Sequence, residues 1–141
     1  MASLPYQPNS MDMVVIDPPY RPRTAKLRTA FNKSLDERYR LGMVLKTQAQ
    51  VLDLYQSGMV EAKRVLRGDG ILAVKCQDAV ESRKQCWMHI DIYQAALWLD
   101  FVAEDLFVLI SGKPPIDSRK QQHARKNHSF MWVFRRSDGQ G

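Results

Sequence analysis

The residues of this sequence best suited to chemistry stand together at Asp17-Pro18-Pro19-Tyr20. They comprise a carboxylate, a carbonyl whose direction is fixed by proline rings, and a flat aromatic ring. Such a set suits an amino group attached to an aromatic ring, a weak nucleophile because its lone pair is delocalised. Two acceptors set against its N–H bonds, the Asp17 carboxylate and the Pro18 carbonyl, draw the nitrogen towards a pyramid and aim the lone pair outward. The proline rings hold that arrangement ready before the substrate arrives. Tyr20 offers a face on which an extruded base can lie. The plainer alternative is a Pro-Pro turn that ends a strand, followed by a surface tyrosine.

Whether the set can work depends on what positions it. Met13–Ile16 is a short apolar run ending at Asp17, the pattern of a strand buried on both faces of a parallel sheet. Pro18 and Pro19 stop it, and the carboxyl end of such a strand is where open α/β sheets bind ligands. Residues 21–47 read as a long basic loop with a short helix near Leu35–Met43. Val51, Leu52, Tyr55, Met59, Ala62, Val65 and Leu66 then recur every three or four residues, one apolar face of a helix. The turn Gly68-Asp69-Gly70 ends that helix, and Ile71–Lys75 follows as a second buried strand. Helix, turn and strand form the back half of a right-handed crossover, so the Val14 and Leu72 strands should run parallel in one sheet.

Further along, Gln85–Leu99 reads as a helix with Trp87, Ile90, Tyr93 or Gln94, and Leu97 on one side. Phe101–Ile110 reads as a strand, Ser111–Asn127 as a Lys/Arg/Gln-rich loop, and His128–Arg135 as a closing strand. Phe130, Trp132 and Phe134 alternate along that last strand and are expected in the core rather than as a stacking platform. With no helix between them, the last two strands are expected as an antiparallel pair closing one side of the sheet. The architecture is α/β, one domain over 10–136 with flexible ends at 1–9 and 137–141.

The bulk properties set bounds. A chain of 141 residues, 45% hydrophobic and 26% charged, has the composition of an ordinary globular domain. The net charge of +6 permits contact with phosphate without requiring it. Cys76 and Cys86 form neither a disulfide framework nor a zinc spacing, and read as reduced thiols in a cytoplasmic or nuclear compartment. His89, His123 and His128 have no metal spacing, so no metal is expected. There is no secretory leader, and acidic residues interrupt the longest apolar stretch, so no membrane span is expected.

VVIDPPY resembles the catalytic motif of the S-adenosylmethionine-dependent amino-methyltransferases, which include the adenine and cytosine DNA methyltransferases. Met59–Lys75 is similar to that family's helix, glycine turn and fifth strand, and the last two strands to its closing hairpin. The likeness runs from about Ser10 to Arg136. It implies a partial Rossmann-like class I methyltransferase sheet, parallel strands plus a C-terminal antiparallel hairpin. It further implies S-adenosyl-L-methionine as cofactor, Asp17, Pro18, Pro19 and Tyr20 as catalytic residues, and Asp17 and Pro18 bordering the cofactor. An aspartate at the first motif position favours adenine N6 in DNA. An RNA base methyltransferase and a catalytically silent nucleic-acid-binding subunit are the alternatives.

One departure matters. The family binds its cofactor chiefly at a glycine-rich loop after the first strand, and this sequence has none. The expectation is therefore the C-terminal half of the domain in its ordinary order, without the cofactor-binding first strands. A circularly permuted order is the alternative. The Val14 strand would then be a bare apolar sheet edge, which calls for a second chain or self-association. Arg21, Arg23, Lys26 and Arg28 follow the motif directly and are candidates to grip phosphates flanking the target base. Arg119, Lys120, Arg125 and Lys126 invite the same reading less strongly. Lys75 and Asp78 read as a strand-end lysine and a turn aspartate, with lining of the same pocket as the alternative.

Overall fold

The computed structural model describes residues 4–20, 45–112, 123–124 and 126–137. Its main sheet has four strands in the order β1-β2-β6-β5. Strand β1 (Met11–Ile16) runs parallel to β2 (Leu66–Cys76), with Val14 opposite Leu72 and Ile16 opposite Val74, the crossover expected from the sequence. Strand β6 (His128–Arg136) lies antiparallel between β2 and β5 (Phe101–Ile110), so the expected C-terminal pair does close one side of the sheet.

Helix α1 (Gln48–Val65) starts where Thr47 accepts a hydrogen bond from the Gln50 N–H at 3.2 Å. A cap of this kind is worth about 1 kcal/mol. Val51, Tyr55, Met59, Ala62 and Val65 are its fully buried stripe, the spacing legible in the sequence. Helix α2 (Met88–Trp98) joins α1 on the same sheet face. There they enclose Leu72, Val74, Cys76 and Phe134 in one core, with Trp132 and Phe130 packed against it.

That one-sided arrangement corrects an expectation. β1 is buried on one face only: Val14 and Ile16 pack against the core, while Met13 and Val15 are 55% and 59% exposed. No helix among the described residues covers the second face. Ala73 on that face is nevertheless buried, flanked on the neighbouring strands by Val15 and Val133.

Three further differences have local causes. Helix α1 ends at Val65 rather than at the glycine turn, and β2 begins at once. The pairing then jumps from Met11–Leu66 to Met13–Ile71, so Arg67–Gly70 bulge out of the ladder. The second helix begins at Met88 rather than Gln85, because residues 79–86 form a small hairpin, β3 (Ala79–Glu81) against β4 (Lys84–Cys86). Its buried residues are Met88, Ile92 and Ala96, with Tyr93 half-buried, whereas Trp87, Ile90 and Leu97 face outward. The helix is apolar on several sides, so its sequence did not define one stripe.

Residues 4–9, expected as part of a flexible end, are tied to α1. Arg64 donates to the Leu4 and Tyr6 carbonyls and to Glu61, and Asn9 N–H reaches the Arg64 carbonyl. One guanidinium with five donors holds the segment. The expected helix near Leu35–Met43 lies outside the described residues, as does most of the Ser111–Asn127 loop.

Gly70 carries a testable requirement. A Cβ placed there would stand 2.9 Å from the Arg67 carbonyl oxygen and 3.1 Å from Leu66 Cδ2. Gly70→Ala should therefore lower stability by about 1–3 kcal/mol, read as a shift in the urea unfolding midpoint. An unchanged midpoint would show that the bulge relaxes freely.

Candidate active site

The parallel register builds the site. Because Ile16 pairs with Val74, the next residues, Asp17 and Lys75, emerge side by side at the carboxyl ends of β1 and β2. The Asp17 side chain is 49% exposed, directed out of the core. The Tyr20 hydroxyl donates to Asp17 Oδ1 at 2.6 Å, and Lys75 Nζ stands 3.6 Å from Asp17 Oδ2. The same ammonium lies 5.7 Å from the centre of the Tyr20 ring, within cation–π reach. A carboxylate has about four lone-pair directions, so these two neighbours leave Asp17 able to accept from a further N–H.

Charge follows from these contacts. Burial, followed by the hydrogen bond to Asp17, raises the Tyr20 phenol above its ordinary pKa, so the hydroxyl stays a donor. Contact with Tyr20 and then the charge of Asp17 raise Lys75, which remains a cation. Beside Asp17 the cluster thus presents a cation and a neutral phenol at neutral pH.

Two residues brace it from α1. Gln48 Nε2 donates to the Tyr20 carbonyl at 3.5 Å, and the buried Tyr55 hydroxyl donates to the Lys75 carbonyl at 2.8 Å. Gln48 is 6% exposed, and its Oε1 has no hydrogen-bond partner. Its backbone N–H, among the first free donors of the helix, is taken by Glu81 Oε1 at 2.9 Å. Sequence reading missed Gln48, Tyr55 and Glu81 as supports. The signal available was Thr47 as a helix cap, which places the start of α1 but not what it faces.

The other candidates separate clearly. Asp17, Pro18, Pro19 and Tyr20 stand directly after β1, with Lys75 added to them. Asp78 goes elsewhere: buried, it accepts from the His89 N–H at 3.2 Å and stands 2.7 Å from His89 Nδ1, at the start of α2. It therefore braces a helix rather than lining the site. Arg21, Arg23, Lys26 and Arg28 lie outside the described residues, as do Arg119, Lys120 and Arg125. Lys126 sits 5.7 Å from the centre of the Trp87 ring. Among the described residues no cluster of His, Cys, Asp or Glu could hold a metal ion, and no helix is long and apolar enough to cross a membrane.

No protein-family model matches the sequence, and no curated protein matches it. Solved structures do. The chain is similar to a protein described as a DNA modification methylase from Thermus thermophilus, solved in complex with S-adenosyl-L-methionine. The identity is 16% and the TM-score 0.58, over 97% of this chain and 52% of that one. It is similar also to the cytosine-N4-specific PvuII DNA methyltransferase, at 13% identity and TM-score 0.64, over 93% of this chain and 44% of that one. The chain thus spans about half the length of the structures it matches. At these identities the likeness is one of fold, and that fold is the mixed α/β sheet of a methyltransferase.

Proposed function

We propose that this chain supplies the amine-orienting part of an S-adenosylmethionine-dependent DNA methyltransferase, acting on the exocyclic amino group of adenine. The observation that carries the reading is the open Asp17 carboxylate at the carboxyl end of a parallel strand, with Tyr20 and Lys75 fixed beside it. Asp17 and the Pro18 carbonyl accept from the two N–H bonds of the amine, and the nitrogen lone pair turns towards the donor. The Tyr20 ring supports the base, and its hydroxyl with Lys75 holds the carboxylate in place. When transfer is complete, the nitrogen must lose a proton, and Asp17 is the base already hydrogen-bonded to it.

The bound cofactor supplies an activated methyl group on a positively charged sulfur. The residues present fit that end of it: an exposed carboxylate attracts the sulfonium, and the Pro18 carbonyl adds an acceptor. The sequence offers no glycine-rich loop for the nucleotide end. A complementary α/β half, seated along the β1 edge and over Met13 and Val15, completes the site. In its absence a second copy takes the same surface, since an uncovered apolar edge strand templates association. Sedimentation velocity should then show the chain self-associated, with Val15→Lys shifting it to monomer. A monomeric parent chain would contradict this part.

Adenine is favoured by the aspartate at the first position of the motif. Cytosine N4 is the second reading, favoured by the similarity to a cytosine-N4-specific enzyme. The test is uptake of labelled methyl from S-adenosylmethionine into DNA duplexes by the chain, expressed alone and with the neighbouring reading frames of its locus. Uptake lost when every adenine is replaced by a purine without the amine supports adenine. Uptake lost only on replacing cytosine supports the second reading. No uptake into any duplex overturns the enzyme reading in favour of a silent subunit.

A further inference from the structure

We propose that the β3–β4 hairpin is a DNA-backbone clamp, with Arg83 and Lys84 binding phosphates next to the nucleotide held at Tyr20. The inference rests on the DNA substrate proposed above and assigns it a surface. The hairpin leaves β2 just past Cys76 and so projects from the same end of the sheet as Asp17. It is fastened to the site: Glu81 Oε1 accepts from the Gln48 N–H, and Gln48 Nε2 donates to the Tyr20 carbonyl. Glu81 also pairs across the hairpin with Lys84, which fixes the register of the tip.

The tip itself is tightly turned and basic. Ser82 and Arg83 have φ of 50° and 65°, the left-handed pair of a tight two-residue hairpin turn. The ring of His123 meets the Arg83 carbonyl at 3.0 Å, securing the turn from a second side. Both basic side chains are exposed, and neither forms an ion pair among the described residues. By contrast, Lys63 and Arg67, towards the other end of the sheet, are neutralised by Asp100 and Asp12. Beside the hairpin, the Trp87 indole is 50% exposed, with Lys126 Nζ 5.7 Å from its centre. This supplies a third cation and an apolar ring.

Placement agrees with the role. Arg83 sits in the turn next to Lys84, which pairs directly with Glu81, and Glu81 is one hydrogen bond from Gln48, itself bonded to the Tyr20 carbonyl. A tip tied to Tyr20 through Glu81 and Gln48 is placed to meet phosphates flanking a base held there. Phosphate contacts of this type position the duplex without reading its sequence.

The test is fluorescence anisotropy of a labelled DNA duplex titrated with the chain at several salt concentrations. The Arg83→Gln/Lys84→Gln variant is compared with Lys63→Gln/Arg67→Gln, which removes the same charge from the opposite end. Loss of two phosphate contacts should reduce the slope of log affinity against log salt by about 2, with the control variant close to the parent. Each single variant should reduce it by about 1, so a misfolded double variant does not decide the matter. Equal loss in hairpin and control variants would overturn the clamp while leaving the DNA reading intact. A parent chain that binds no duplex at low salt would overturn both. Tighter hairpin-dependent binding of the equivalent RNA duplex would overturn the choice of DNA.

Discussion

Replacing Asp17 by alanine should slow methyl transfer to DNA by about 100- to 1,000-fold, with DNA affinity nearly unchanged. The magnitude is that of removing one preorganised hydrogen-bonding group from a site that stabilises a transition state, about 2.7–4 kcal/mol. The logic is differential. An aromatic amine gains little from an acceptor while it is planar, and much once the nitrogen pyramidalises and begins to carry charge. Loss of Asp17 therefore falls on kcat rather than on KM. The substitution should cost little stability, because the side chain is about half exposed and its partners, Tyr20 and Lys75, are left with access to water. Single-turnover rates with thermal unfolding of the same sample measure both halves. A large loss of stability would mean that the carboxylate serves the fold instead.

The second large effect is expected at Tyr55, a residue that sequence reading placed only in the helix stripe. It is fully buried under the sheet, and its hydroxyl donates to the Lys75 carbonyl. Burial pushes its phenol far above the ordinary pKa, so the hydroxyl stays the donor of that bond. Tyr55→Ala removes a large aromatic ring from the core and should cost about 3–5 kcal/mol. Tyr55→Phe keeps the ring but leaves the strand-end carbonyl without its partner, and should cost about 1 kcal/mol. The phenylalanine variant also holds Lys75 less firmly beside Asp17. Its loss of transfer rate should then exceed what its stability alone explains. Urea unfolding of both variants, beside their transfer rates, checks the pair. Equal stability of Tyr55→Ala and the parent would contradict the packing described.

How far the sequence revealed this arrangement depended on whether a feature was local. The Met13–Ile16 run, the α1 stripe and the ILAVK strand carry their own periodicity, and together they implied that the Val14 and Leu72 strands run parallel in one sheet, as they do. Phe130, Trp132 and Phe134 declared an inner face by alternation, and Phe134 is fully buried. The β3–β4 hairpin was hidden because its turn is Ser82-Arg83, without the glycine or asparagine that announces left-handed backbone. The burial of Met88, Ile92 and Ala96 was hidden because α2 is apolar on several sides. At the site, Asp17 and Tyr20 were visible as a motif. Lys75 was legible as a strand-end lysine able to line the pocket, whereas Gln48 and Glu81 reach it only through packing across tens of residues, which no local pattern encodes. The one-sided core shows why β1 misled. An apolar run fits burial on both faces, but no element among the described residues covers Met13 and Val15.

The central claim is that this site activates a nitrogen, and the identity of the methylated nucleoside tests it most directly. Cys76, the buried thiol at the end of β2, has its pKa pushed up to about 12 by burial, so it offers no thiolate for covalent attack on a base. DNA treated with the chain and isotope-labelled S-adenosylmethionine, digested to nucleosides and analysed by mass spectrometry, should carry the label in N6-methyladenine. Label recovered in 5-methylcytosine would contradict nitrogen activation at Asp17.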